Sequence, residues 1–312
     1  MTTAARLATV TLLLTIVLVG VGALVRATGS GLGCPDWPLC HGGVVPPGDR
    51  GHEPIIEYLH RVVAGGVGLL VVATALAVWR HARRALILTA TALITVPVVG
   101  LQGLLGAVAV WRELPPEVVA THLLLAMVIL AMQTYVAVGT RAEREGRPLA
   151  AMADAGPIPA LALLGLAWLA LLFWIGAYMA ESGASTACSG WPLCNGSLLP
   201  SGDDQEVTHM LHRYLAAGFL LVLGPLLLAA WNRRHRFPLG WKLALAGTAL
   251  YAVQVGIGAA NVWLTFPDPI TVAHTGVAAL VWCALALLLF VPTYVPSTSV
   301  AARTMRLAEE GP

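Results

Sequence analysis

Four histidines share one offset: His60 and His122 return as His212 and His274, each 152 residues further along the chain. All four fall in apolar stretches, where an ionisable side chain is a functional candidate by default. One such histidine could serve as a helix–helix hydrogen bond, but two per repeat at matched positions are poorly explained by packing. Two imidazoles alone make a poor zinc site, because structural zinc takes four protein ligands and catalytic zinc three. They suit an iron whose remaining ligands come from a porphyrin, with the imidazoles axial. The pattern therefore points to two bis-histidine haem sites, one on His60 and His122 and one on His212 and His274.

The surroundings of the two pairs differ. Glu57 and His60 form Glu-x-x-His, which puts both on one helix face, whereas the aligned residues are His209 and His212. A carboxylate beside a haem ligand in a partly desolvated place is a candidate for proton handling or substrate positioning. Its plainer reading is an acid at a helix N-terminus, favoured by the dipole by ~0.3–1 kcal/mol. Arg61 and Arg213 directly follow two of the ligands and read either as partners of haem propionates or as cations snorkelling to the interface. Gln102 and Gln254 lie mid-span and either cross to a neighbouring helix or touch a ligand edge. Cys34 with Cys40, and Cys188 with Cys194, are two C-x5-C pairs, each closing a short loop around Trp37 or Trp191. A structural disulfide is expected of the second pair, while for the first a redox-active dithiol stays open.

Positioning these groups falls to helices in a bilayer. Of 312 residues, 58% are hydrophobic and only 11% charged, with a mean hydropathy of +0.79. Soluble domains carry about 25% charged residues, so a polytopic membrane protein is expected, and the net charge of +2 gives no reason to expect a nucleic-acid partner. Apolar runs near 7–25, 57–79, 86–110, 117–139, 158–180, 207–231, 239–263 and 269–291 are each long enough to span. The first exceeds a signal-peptide core and is read as a retained helix. Thirteen basic residues, among them Arg80, Arg83, Arg84, Arg147, Arg303 and Arg306, fall on one side, and three, Arg26, Arg50 and Arg112, on the other. Both termini are thus expected in the cytoplasm, with the long loops at 26–56 and 181–206 outside. Trp111 and Trp263 also repeat at 152, while the cysteines shift by 154. The fold class read from this is an all-α polytopic membrane protein of eight transmembrane helices. They form two pseudo-symmetric four-helix bundles, 1–150 and 151–312, joined by a linker around 140–157.

Gly-Cys-Pro-Asp-Trp-Pro-Leu-Cys-His-Gly (33–42), Glu-Tyr-Leu-His-Arg (57–61), Thr-His (121–122), the second cysteine loop, Leu-His-Arg (211–213) and Ala-His (273–274) together resemble the haem A synthase family over nearly the whole chain. The resemblance implies an enzyme of the plasma membrane that oxidises the C8 methyl of haem O to a formyl group, giving haem A for terminal oxidases. It implies a substrate site in the N-terminal half, with Glu57, His60 and His122 as the catalytic set. The C-terminal half would carry a resident haem b on His212 and His274, with Cys34 and Cys40 as the functional cysteine pair. Since two imidazoles fill both axial positions, His60 or His122 would leave the iron during turnover, or oxidation takes another route. Implied partners are haem O, a haem O synthase as its supplier, an electron donor and membrane lipids, and a homo-oligomer stays open. A dihaem b-type electron carrier, or a haem transporter or chaperone, would also use four histidines. A carrier has no need of Glu57 in one half only, and a transporter needs a gated path, so the asymmetry favours the enzyme.

Overall fold

Where no water reaches the backbone, each N–H and C=O must pair within its own segment, and the apolar runs accordingly fold as helices. The computed structural model describes residues 2–46, 51–144 and 155–291. Helix α1 covers Thr3–Ala27, capped by the Thr2 hydroxyl on the Ala5 N–H; α2 covers Glu53–Ala82, α3 Leu86–Trp111 and α4 Pro116–Arg144. Helix α5 covers Ile158–Glu181, α6 Asp204–Gly218, α7 Leu220–Asn232, α8 Pro238–Trp263 and α9 Asp268–Phe290. Among the described residues eight segments are long and apolar enough to cross a membrane, and α6 with α7 makes one of them. The sixth span is thus two helices rather than the single one expected. Its loosened turn at Phe219 lies between Gly218, a weak helix former, and Pro225, which withholds an N–H from the Leu221 carbonyl.

Helices α1–α4 pack in sequence, and α1 closes on α4; in the second set α5 packs against α6, α7 and α9, and α8 against α7 and α9. The sets meet through α1, α4, α5 and α9. Their interiors differ in kind. The first set buries small residues, among them Ala4, Ala8, Ala75 and Ala92, and adds the hydrogen bonds Thr11–Thr74 at 2.9 Å and Thr15–Gln133 at 2.8 Å. At the positions one repeat later stand Gly165, Leu226, Leu169 and Leu285, and the second interior is filled by Phe219, Leu223, Leu226, Trp282 and Leu285. The boundary expected at 150/151, and Arg50, Arg147, Arg303 and Arg306 used for orientation, lie outside the described residues.

Both cysteine loops sit at the same end of the helices and share a design. Gly29 and Gly183 take positive φ, short 3-10 turns follow at Ser30–Leu32 and Ala184–Thr186, and disulfides join Cys34 to Cys40 and Cys188 to Cys194. Trp37 meets Trp111 edge-on at 6.0 Å, and Trp191 meets Trp263 at 5.8 Å, tying each loop to the end of the third span in its set. The first loop is also pressed onto α2: a Cβ on Gly33 would lie 2.5 Å from the Glu53 carbonyl carbon. Gly33→Ala is therefore expected to lower stability by about 1–3 kcal/mol through overpacking. Gly65→Ala, which meets open space, should not. Thermal unfolding in detergent, followed by tryptophan fluorescence, separates the two, and a Gly33 variant as stable as the parent would contradict the tight seat.

Candidate functional site

His60 and His122 lie within about the first two turns of α2 and α4, and His274 likewise on α9, with His212 just beyond the second turn of α6. All four therefore stand near the loop end. Each ring is backed by a glycine on the preceding helix. A Cβ would come to 3.3 Å from His60 Cε1 at Gly22, 3.2 Å from His122 at Gly106, 2.9 Å from His212 at Gly176 and 3.1 Å from His274 at Gly258. A Cβ at Gly176 would force the His212 ring to shift, and at the other three positions the ring would have to yield by a few tenths of an ångström. His60 acts electrostatically on His122, and His274 on His212.

The Nδ1 atoms of all four are buried on the side of the backing glycine, with the Leu172 backbone in reach of the His212 ring, which leaves Nε2 as the ring nitrogen open to a ligand. Among the described residues no three His, Cys, Asp or Glu side chains gather as a metal site, so an ion bound by either pair would need its other ligands from elsewhere. Two facing imidazoles, set by glycine and lacking a third protein ligand, fit a haem iron in each set of helices.

Glu57 is 3% exposed. Its Oε2 accepts the Cys34 N–H at 2.7 Å and its Oε1 accepts Arg61 Nη2. Arg61 also donates to the carbonyls of Cys34 at 2.9 Å and of Asp36 and Leu39 at 2.7 Å each. In the second set His209 takes the place of Glu57. Its Nδ1–H donates to the Ala184 carbonyl at 3.0 Å, which leaves Nε2 to accept Arg213 Nη2 at 2.9 Å. Arg213 then donates to the carbonyls of Pro192 and Leu193 at 3.1 Å. The two arrangements do the same structural job with different charge: carboxylate plus guanidinium is neutral, and imidazole plus guanidinium is cationic. These donors of Arg61 and Arg213 are directed at the cysteine loops, while Arg213 Nε is buried without a partner among the described residues.

Asp36 adds a second anion to the first loop, where Gly190 stands in the other. The N–H groups of Gly42 and His41, Gly42 foremost, hold its carboxyl below the usual carboxylate range. Gln102 crosses from α3 to donate to the His122 carbonyl at 3.0 Å, the helix-to-helix role allowed for it. In the sequence Gly106 and Gly258 read only as ordinary close-packing glycines of membrane helices, and Gly22 and Gly176 carry no mark. Their signal was present in the offsets, since Gly22 and Gly176 repeat at 154 like the cysteines and Gly106 and Gly258 at 152 like the histidines.

The sequence pattern of COX15-CtaA, described as a cytochrome oxidase assembly protein, matches residues 5–286. The chain belongs to the COX15-CtaA family. A protein named "Heme A synthase" from Symbiobacterium thermophilum is 35% identical over 294 residues, covering 90% of this chain and 92% of the relative. One of the same name from Alkalihalophilus pseudofirmus is 34% identical over 232 residues, 72% and 76% of the two chains. Another from Shewanella oneidensis is 29% identical over 313 residues, 87% and 91%. The COX15-CtaA match takes in all four histidines, Glu57 and both cysteine pairs.

Gly176→Ala is expected to displace the His212 ring and lower haem bound per purified chain several-fold. Gly256→Ala, which meets nothing within 4 Å, should leave it unchanged. Pyridine haemochrome absorbance reads both, and equal haem in the two variants would contradict the backing role.

Proposed function

We propose that this chain is a haem A synthase, oxidising the C8 methyl of haem O to the formyl group of haem A. Family membership and the names of its relatives support the reading. The observation that carries it is the charge asymmetry between two otherwise matched sites, Glu57 with Arg61 in one and His209 with Arg213 in the other. The site on His60 and His122 takes haem O as substrate. His212 and His274 hold a haem b, which supplies one-electron redox chemistry when bound. The cysteine loops lie on the outer side of the plasma membrane and both termini in the cytoplasm. A haem O synthase supplies the substrate, and an electron donor serves the second site.

The chain's own contribution is geometry and proton placement. Gly22 and Gly106 set the two substrate-site imidazoles. Glu57 is held at the loop end of that site by the Cys34 N–H and the Arg61 guanidinium. Each carboxylate oxygen retains a lone pair beyond the bond it accepts, so Oε1 or Oε2 can take up and return a proton without releasing the loop. Burial of the pair also matters: removing one partner of a buried ion pair strands the other, at a cost of about 3–5 kcal/mol. Arg61 and Arg213 hold the loops, with Trp37 and Trp191, as lids over the two sites.

Glu57→Ala is expected to leave the haem on His212 and His274 in place while haem A formation falls about 100-fold or more, the usual weight of a lost acid–base group. His212→Ala should remove that haem's b-type spectrum. Haem A yield from cells supplied with haem O, measured beside the reduced spectrum of the purified protein, checks both. Unchanged product in the Glu57 variant would remove it from the mechanism, and an intact b-type spectrum in the His212 variant would break the two-site assignment.

A further inference from the structure

A haem carries two propionates, and a bundle that takes one up in an apolar setting needs a cation for them. The Nη donors of Arg61 and Arg213 are engaged by the loops and by Glu57 or His209, which leaves Arg213 Nε and a third arginine, Arg26. Arg26 lies in the last turn of α1, four residues beyond Gly22, the glycine that backs His60. Residues four apart share a helix face, and the rise between them is ~6 Å, so Arg26 lies on the face of α1 that carries Gly22, one turn nearer the loop. Its side chain is 32% exposed, and its guanidinium makes no hydrogen bond among the described residues. Its one charged partner is Glu181 Oε1 at 3.8 Å, beyond hydrogen-bond length.

Glu181 is equally short of partners. It closes α5, five residues beyond Gly176, the glycine that backs His212. Its side chain is 15% exposed, and Oε1 is buried without a hydrogen bond. The two charges thus face each other across the seam between the helix sets, and the influence of Arg26 reaches His274 of the second pair. Neither belongs to the repeat, since Ala180 and Ala27 stand at the matched positions. The guanidinium is only partly covered, so its donors are free to meet a ligand, and its planar fork matches a carboxylate in two parallel bonds.

We propose that Arg26 is a haem-carboxylate clamp: its guanidinium binds a propionate at the seam between the two sites, and Glu181 is the anion it faces until a propionate arrives. This rests on the reading of the histidine pairs as haem sites. The propionate comes either from haem O at His60 and His122 or from the haem at His212 and His274, and the bonding chemistry is the same for both.

The test uses the full chain in detergent, titrated with haem O, haem b and the dimethyl ester of haem b, in which the carboxylates are blocked. Binding is followed by Soret absorbance. Wild type is expected to prefer the free acid over the diester about tenfold or more, the weight of a charge-assisted pair. Arg26→Gln should abolish that preference by weakening the acid alone, and Arg26→Lys, which keeps the charge and loses the fork, should restore part of it. Glu181→Gln should leave acid binding intact or tighten it, because the competing anion is gone. A merely structural ion pair would make the Arg26 and Glu181 variants lose stability alike with the diester preference intact, and that result overturns the clamp. So does a wild type indifferent to esterification, which needs no variant to fold. Repeating the titration in a His212→Ala background assigns the carboxylate: an effect of Arg26→Gln that persists there belongs to the substrate, and one that disappears belongs to the second haem. If wild type binds no haem at all, the haem-site reading fails and the clamp with it. Normal haem binding with no Arg26 effect sinks the clamp alone.

Discussion

An imidazole that must reach the centre of a packed helix bundle can do so only where the neighbouring helix yields the space of a side chain. This protein meets that requirement four times with glycine. Gly22, Gly106, Gly176 and Gly258 lie directly against the rings of His60, His122, His212 and His274. The contact determines which helices adjoin, since α1 must lie on α2, α3 on α4, α5 on α6 and α8 on α9. It also sets ring orientation, turning Cε1 and Nδ1 to the glycine. The helix ends follow from the same constraint, and with them the height at which the cysteine loops close. Tertiary packing rather than intrinsic propensity governs here, because glycine inside a helix costs roughly 1 kcal/mol relative to alanine.

On this common frame the two halves diverge in charge and in packing, and both differences fall at functional levels. Near the loops, a neutral Glu57–Arg61 pair stands against a cationic His209–Arg213 pair. Deeper in, threonine and glutamine hydrogen bonds among small residues stand against packed leucine, phenylalanine and tryptophan. Interhelical hydrogen bonds inside a membrane average ~0.6 kcal/mol, whereas a buried leucine contributes more through dispersion and shape. In the proposed function the half that would exchange its haem is the looser one, and the half that would keep its haem is the denser.

Much of this was legible in the sequence, for identifiable reasons. Spans follow from hydropathy because the bilayer demands complete helices, and the histidine pairs follow from a fixed offset that composition cannot mimic. Other features were hidden because they depend on what lies beside a residue. Nothing in the run 207–231 shows a break at Phe219, just before which the Leu215 and Ala216 carbonyls take the Trp168 indole N–H and the Tyr251 hydroxyl from other helices. Glycines are so common in membrane helices that four of them carry no mark until their neighbours are known. Arg61 and Arg213 sit next to the ligands in sequence, which suggested the propionates. Both guanidinium groups also reach the loop carbonyls, which adjacency in sequence does not reveal, while Arg213 Nε stays buried without a partner among the described residues. Arg26 was counted only as a loop charge, because its partner Glu181 is 155 positions away and outside the repeat.

The central claim is that the two histidine pairs serve a conversion, with one haem acted upon and the other retained. Mass analysis of haem extracted from cells that make this chain beside a source of haem O tests it most directly. The account requires haem A, with its formyl group, to appear only when the chain is present. Haem O and haem B alone, recovered from an assembled protein with a normal b-type spectrum, would contradict it and leave a dihaem electron carrier in its place.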